Sequence, residues 1–127
     1  MADSVYLGNP NLKRANVSQE WTKKEVQEYA KCMNDPQYFI ENYIMIVSLD
    51  EGLVPFKMYD FQKEMVGTFH SNRFTICKLP RQSGKSTTII AYLLHYVLFN
   101  DSVNVAILAN KAATARDLLG RLQLAYE

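Results

Sequence analysis

The sequence predicts an α/β fold in which helices come first and the order strand, loop, helix, strand, helix follows. Three observations carry this. Two short apolar, β-branched runs, Arg73 to Leu79 and Val103 to Ala109, have the length of buried strands. Between them, Lys85 to Phe99 places Ile89, Ile90, Leu93, Leu94 and Val97 on the core side of a helix. A tight loop, Pro80 to Gly84, joins the first run to that helix. Two strands joined through a helix make a parallel pair with a right-handed crossover.

The other elements follow from local signals. Residues 1–17 are polar, with Gly8-Asn9-Pro10-Asn11 at their centre, and are expected to be a poorly ordered arm. Thr22 and Glu25 have capping-box spacing, and Val26, Tyr29, Ala30 and Met33 then recur as an apolar stripe. Asp35-Pro36 ends that helix and starts another, with Phe39, Ile40, Tyr43 and Ile44 as its buried face. Ser48 to Tyr59 breaks the helical period with Gly52 and Pro55 and is expected to be a loop with a short extended piece. A helix from Tyr59 to His70 follows, with Phe61, Met65, Val66 and Phe69 inward. Ala112 to Tyr126 is the last helix, with Leu118, Leu119, Leu122 and Ala125 on one side.

Composition narrows the function classes. The chain of 127 residues is long enough for one modest core, and 48% hydrophobic residues indicate a globular chain. A formal net charge of +1 gives no global basic field, so contact with nucleic acid requires a local patch. The first residues lack the apolar stretch of a secretory signal. No apolar run approaches the roughly 18 residues that a membrane span needs. Cys32 and Cys77 are isolated and are expected to be reduced, buried thiols.

The chemistry concentrates in Lys78 to Ile90, "KLPRQSGKSTTII". A strand ends, a loop turns and a helix starts at Gly84-Lys85-Ser86. The first amides of a helix have no intrahelical partner, and the helix dipole adds partial positive charge, so the helix mouth is an anion site. Gly84 lets the backbone approach phosphates. Lys85 is expected to reach the β- and γ-phosphates of ATP, Ser86 to hold Mg²⁺, and Thr87 to contact the α-phosphate. A bare Gly-Lys-Ser tripeptide also arises by chance, and its place between strand and helix is what gives it weight. Leu79 stands where phosphate loops carry their first glycine, and Pro80 supplies a fixed bend instead. Arg81 sets a planar donor beside the phosphates, with a solvated or ion-paired arginine as the alternative. Gln82 and Ser83 complete the expected phosphate contacts.

These residues resemble a family. "LPRQSGKST", 79 to 87, is similar to the variant Walker A loop of the large terminase subunit, the DNA-packaging motor of contractile-tailed double-stranded DNA phages, which often carries the Arg-Gln pair. "MYDFQKEMV", 58 to 66, resembles the family's adenine-binding segment, with Gln62 at the family's separation from Lys85. "VAILANKAATARDLLGRL" and the segments around "YLGNPNLKRANV" and "DPQYFIENYIMIV" extend the similarity over nearly the whole chain. It implies a P-loop NTPase of the RecA/ASCE-like three-layer type, with residues 18–127 forming the N-terminal part of the ATPase domain. It implies that ATP hydrolysis drives double-stranded DNA into the procapsid, in a ring on the portal protein with a small terminase subunit, in the host cytoplasm at the portal vertex and with no membrane. By the same resemblance Lys85 and Arg81 are catalytic, Arg81 senses the γ-phosphate in cis, Gln62 reads adenine through its amide, and Tyr59 or Phe61 stacks on the base. A surface helix residue is the alternative for Gln62.

A motor ATPase also needs an apolar strand ending in Asp-Glu to hold Mg²⁺ and orient water. Val103 to Ala109 ends instead in Asn110-Lys111. By the same resemblance the family's Walker B, coupling motif and nuclease domain are expected beyond Glu127, and the chain is expected to be the front of a longer protein. Alone it is expected to be marginally stable, to bind nucleotide weakly and not to turn ATP over. A helicase-like P-loop ATPase and a nucleotide-binding fragment without turnover are the other two readings. His70 and His95 lack companions at ligand spacing and are expected to be core or surface histidines. Asp60 is read as a helix cap, and Lys111 and Arg116 as a solvated face.

Overall fold

The computed structural model describes residues 5–126. Two strands, β1 (Val5–Tyr6) and β2 (Asn9–Lys13), pair antiparallel within the segment expected as an arm; residues 1–4 of that arm lie outside the described residues. The turn between them needs two left-handed residues to match strand twist, and Leu7 (φ 49°) and Gly8 (φ 77°) supply them. Helix α1 (Lys23–Asn34) starts at Thr22, whose side chain accepts from the Glu25 amide while Glu25 accepts from the Thr22 amide at 2.7 Å. These bonds hold the Glu25 carboxyl below its ordinary range. Asp35 ends α1 and caps α2 (Pro36–Tyr43), accepting from the Gln37 and Tyr38 amides at 3.0 and 3.1 Å.

The chain then leaves the helical period sooner than expected. Strands β3 (Met45–Ser48) and β4 (Gly52–Pro55) form an antiparallel hairpin; β4 is the short extended piece expected within the loop from Ser48, and β3 lies before that loop and was not expected. Leu49-Asp50-Glu51 make the turn, and Gly52 takes φ 75°, the left-handed position that closes a three-residue hairpin loop. The Phe56 amide adds a bond to the Ile44 carbonyl and leads into α3 (Asp60–Ser71). Helices α4 (Lys85–Phe99) and α5 (Ala112–Tyr126) complete the chain. Among the described residues no helix is long and apolar enough to cross a membrane.

The molecule is thus a small mixed α/β domain whose sheets, among the described residues, are two antiparallel pairs. The expected parallel strands are corrected: neither 73–79 nor 103–109 forms a β-ladder. A strand exists through hydrogen bonds to a neighbour, and among the described residues these two segments find none. Phe74, Ile76 and Leu108 are 83%, 98% and 88% exposed, so their β-forming side chains have no surface to pack on.

The core centres on α2, which packs on α1, α3, α4 and β4. Ile40, Val66 and Ala91 are almost completely buried, with Phe39, Ile44, Phe56, Met58 and Leu94 around them. Polar ties fix the helices. Tyr38 and Tyr43 hydroxyls both donate to Glu28 Oε1, at 2.6 and 2.9 Å, joining α2 to α1. The shared carboxylate pushes the Tyr43 phenol up to about 12 and is itself held low. Gln37 Nε2 donates to the Lys63 carbonyl, and Lys63 pairs with Glu41, joining α2 to α3. The expected α1 stripe is corrected too: Val26, Tyr29 and Met33 are exposed, and α1 buries Cys32. Tyr43 and Leu119 likewise lie outward, whereas Leu118, Leu122 and Ala125 turn α5 toward α4. Cys77 is exposed, contrary to the expected buried thiol.

Candidate functional site

Residues 80–84 fold as a compact turn between segment 73–79 and α4. Gln82 (φ 58°) and Gly84 (φ 77°) are both left-handed, and the Ser83 hydroxyl donates to the Pro80 carbonyl at 2.9 Å. Gly84 is the N-cap of α4 and supplies no side-chain acceptor, so the first amides of this helix face the turn uncapped. Its carbonyl accepts from the Thr88 amide at 3.0 Å and from Thr88 Oγ1 at 2.9 Å. Lys85 opens the helix and its Nζ reaches back to the Leu79 carbonyl at 3.4 Å, across the turn. Ser83, Ser86 and Thr87 are half-buried, and Arg81 and Gln82 are exposed. Arg81 makes no ion pair among the described residues.

The upstream residues come to the same place. A cleft of about 460 Å³ opens beside the turn, lined by Ile46, Phe56, Tyr59, Phe61 and Gln62 on one side and Gln82, Ser83, Gly84 and Thr87 on the other. Tyr59 is 71% exposed, and its ring lies nearly parallel to that of Phe61, with centroids 6.0 Å apart. Gln62 is only 3% exposed. Its Oε1 accepts from the Tyr59 amide at 2.9 Å and its Nε2 donates to the Gly84 carbonyl at 3.4 Å. The surface-residue alternative is therefore excluded for Gln62, and each end of its amide makes one bond within the chain. The structure thus brings Tyr59, Gln62, Gln82, Ser83, Gly84 and Thr87 around one cleft, whereas Pro80, Arg81, Lys85 and Ser86 do not line it.

Sequence reasoning missed Ile46 and Phe56, which add apolar wall to the cleft. They come from the hairpin and the residue after it, a region that composition alone marks as loop. The aromatic pattern Phe56-x-x-Tyr59-x-Phe61 was the available signal.

The histidines are placed elsewhere. His95 is buried, and its Nε2 lies 2.8 Å from the Cys32 carbonyl, which makes that nitrogen the N–H donor. Burial pulls its pKa below 6.5. His70 and Tyr92 flank it at the rim of a second cleft, of about 750 Å³, between α3 and α4. Asp60 stands in the first turn of α3 and the Tyr59 position caps it, so the expected Asp60 cap is corrected to one residue earlier.

No protein-family model matches the chain.

Proposed function

We propose that the chain is the ATP-binding portion of a DNA-packaging terminase large subunit. The observation that carries the nucleotide site is the uncapped start of α4 behind a doubly left-handed turn, with Lys85 and Ser86 at its mouth and an aromatic-walled cleft beside it. A triphosphate fits such a mouth because unpaired amides and the Lys85 ammonium meet its oxygens. Arg81 adds a second cation from the exposed rim, and Gln82, Ser83 and Thr87 line the approach. Ser86 would supply a hydroxyl to Mg²⁺, whose chemistry is to neutralise charge building on the phosphates. Pro80 sets the bend that begins the turn. A base enters the cleft against Tyr59 and Phe61.

The motor activity, the double-stranded DNA substrate, the portal and small-subunit partners and the ring rest on the sequence similarity at 58–66 and 79–87. A helicase-like ATPase shares the loop, and the Arg81-Gln82 pair favours the motor. Calorimetric titration with ATP and Mg²⁺ tests the site. Lys85→Ala is expected to abolish detectable binding while leaving the unfolding transition in place. Unchanged affinity in that variant would overturn the site.

A further inference from the structure

We propose that the hollow bounded by Trp21, α1, α2 and the last turn of α4 binds a small free quaternary ammonium compound. It is separate from the cleft beside the 80–84 turn and shares no residue with it. Five rings wall this hollow of about 260 Å³: Trp21, Tyr29, Phe39, Tyr43 and Phe99. Trp21 and Tyr29 meet at 76°, Tyr29 and Phe99 at 56°, and Phe39 and Phe99 at 87°, with centroids 5.1 to 5.6 Å apart. Only Phe39 and Tyr43 lie nearly parallel, at 17°. Rings inclined in this way surround a guest from several sides instead of offering one flat platform.

Helix α1 contributes the charge. Glu25, Glu28, Tyr29 and Cys32 stand at i, i+3, i+4 and i+7, one face of the helix, and all four line the hollow. Hydrogen bonds from Thr22 hold the Glu25 carboxyl below its ordinary range, and the Tyr38 and Tyr43 hydroxyls do the same for Glu28. Both are therefore anionic at neutral pH. Among the described residues no lysine, arginine or histidine lines the hollow. Lys31, the cation near Glu28, instead sets its ammonium 3.8 Å from the centroid of the Tyr38 ring, outside it. Aromatic faces carry negative potential, so rings and carboxylates together favour a cation.

The lining also selects the kind of cation. Apart from the carboxylates, the wall is almost entirely carbon. A primary ammonium has three N–H donors and would lose water from each one that the carboxylates do not meet. A quaternary ammonium has no N–H to leave unpaired, and its methyl groups pack on rings. The volume lies below the roughly 300 Å³ at which drug-sized sites begin, which suits a compound of a few carbons.

Trp21 is the only tryptophan of the chain, so its fluorescence reports on the hollow directly. The full chain is titrated at constant ionic strength with choline and with its uncharged carbon analogue, dimethylbutanol. Choline is expected to change the emission saturably and to bind about tenfold tighter than dimethylbutanol, the scale of a partly shielded cation–π contact. Glu28→Gln keeps an acceptor for both tyrosine hydroxyls and removes the charge. It is expected to weaken choline several-fold and to leave dimethylbutanol unchanged. Tyr29→Leu, at a half-exposed position, is expected to narrow the gap between the two probes. Equal affinity for the probes would reduce the hollow to an apolar surface and overturn the proposal. An emission change that rises linearly with choline is collisional quenching and overturns it too. So does a choline preference left intact in both variants, which places the site elsewhere. Should Glu28→Gln not fold, Glu25→Gln, which a capping box tolerates, decides the same comparison.

Discussion

Single residues in this molecule act through what they leave no room for. Gly84 combines a left-handed backbone with a close contact, so that a methyl group there would push the Gln62 amide aside. Gly84→Ala is expected to destabilise the fold by about 2 kcal/mol from backbone conformation alone, read as a lower denaturant midpoint. Gln62→Ala should recover the steric share in the double variant and leave the conformational share. His95 provides a second residue-scale prediction. Its folded pKa lies below the 6.5 of a free imidazole because burial disfavours the charged ring, with His70 adding to this and Asp35 and the Cys32 carbonyl opposing it. The unfolded chain therefore takes up the proton first. Its contribution to stability is complete above pH 6.5 and is lost as pH falls from there toward the lowered folded value. Urea unfolding across that window should show the loss. His95→Gln, which keeps an N–H donor for Cys32, should flatten it.

At the scale of elements, the starts of α1 and α2 were legible in the sequence because their signals are local. Thr22 with Glu25 and Asp35 with Pro36 need only their own neighbours to form a cap. Asp35→Ala is expected to cost about 1 kcal/mol by freeing the Gln37 and Tyr38 amides, measured as a lower thermal midpoint. The Gly84-Lys85-Ser86 loop was legible for the same reason, as glycine tolerates the positive φ at which α4 begins. Gln82 was not, since nothing in a glutamine announces a left-handed residue. The hairpin of β3 and β4 was hidden because Ile44 and Met45 prolong an apolar run begun by α2. The α1 stripe misled because spacing identifies a face but not what lies opposite. Cys32, on another side of the helix, is the residue α4 covers through His95.

The strands expected at 73–79 and 103–109 failed at the scale of the whole molecule. Their β-branched composition is real, but a ladder is a property of two segments and composition belongs to one. What remains is a surface carrying Phe74, Ile76 and Leu108 almost fully open to water. Unpaired apolar segments of this kind associate. Sedimentation at rising protein concentration is expected to show self-association. Phe74→Lys combined with Ile76→Lys should shift the population toward monomer, and an unchanged distribution would assign the contact to another surface.

The central position of α2 has a consequence for how the molecule breathes. Amide exchange with deuterated water should be slowest around Ile40 and Val66, where α2 and α3 cover each other, and fast along α5, whose outer side is bare. The turn at 80–84 is slung between α3, through Gln62, and α4, through Gly84. It is therefore expected to open together with that part of the protein, after the periphery has frayed.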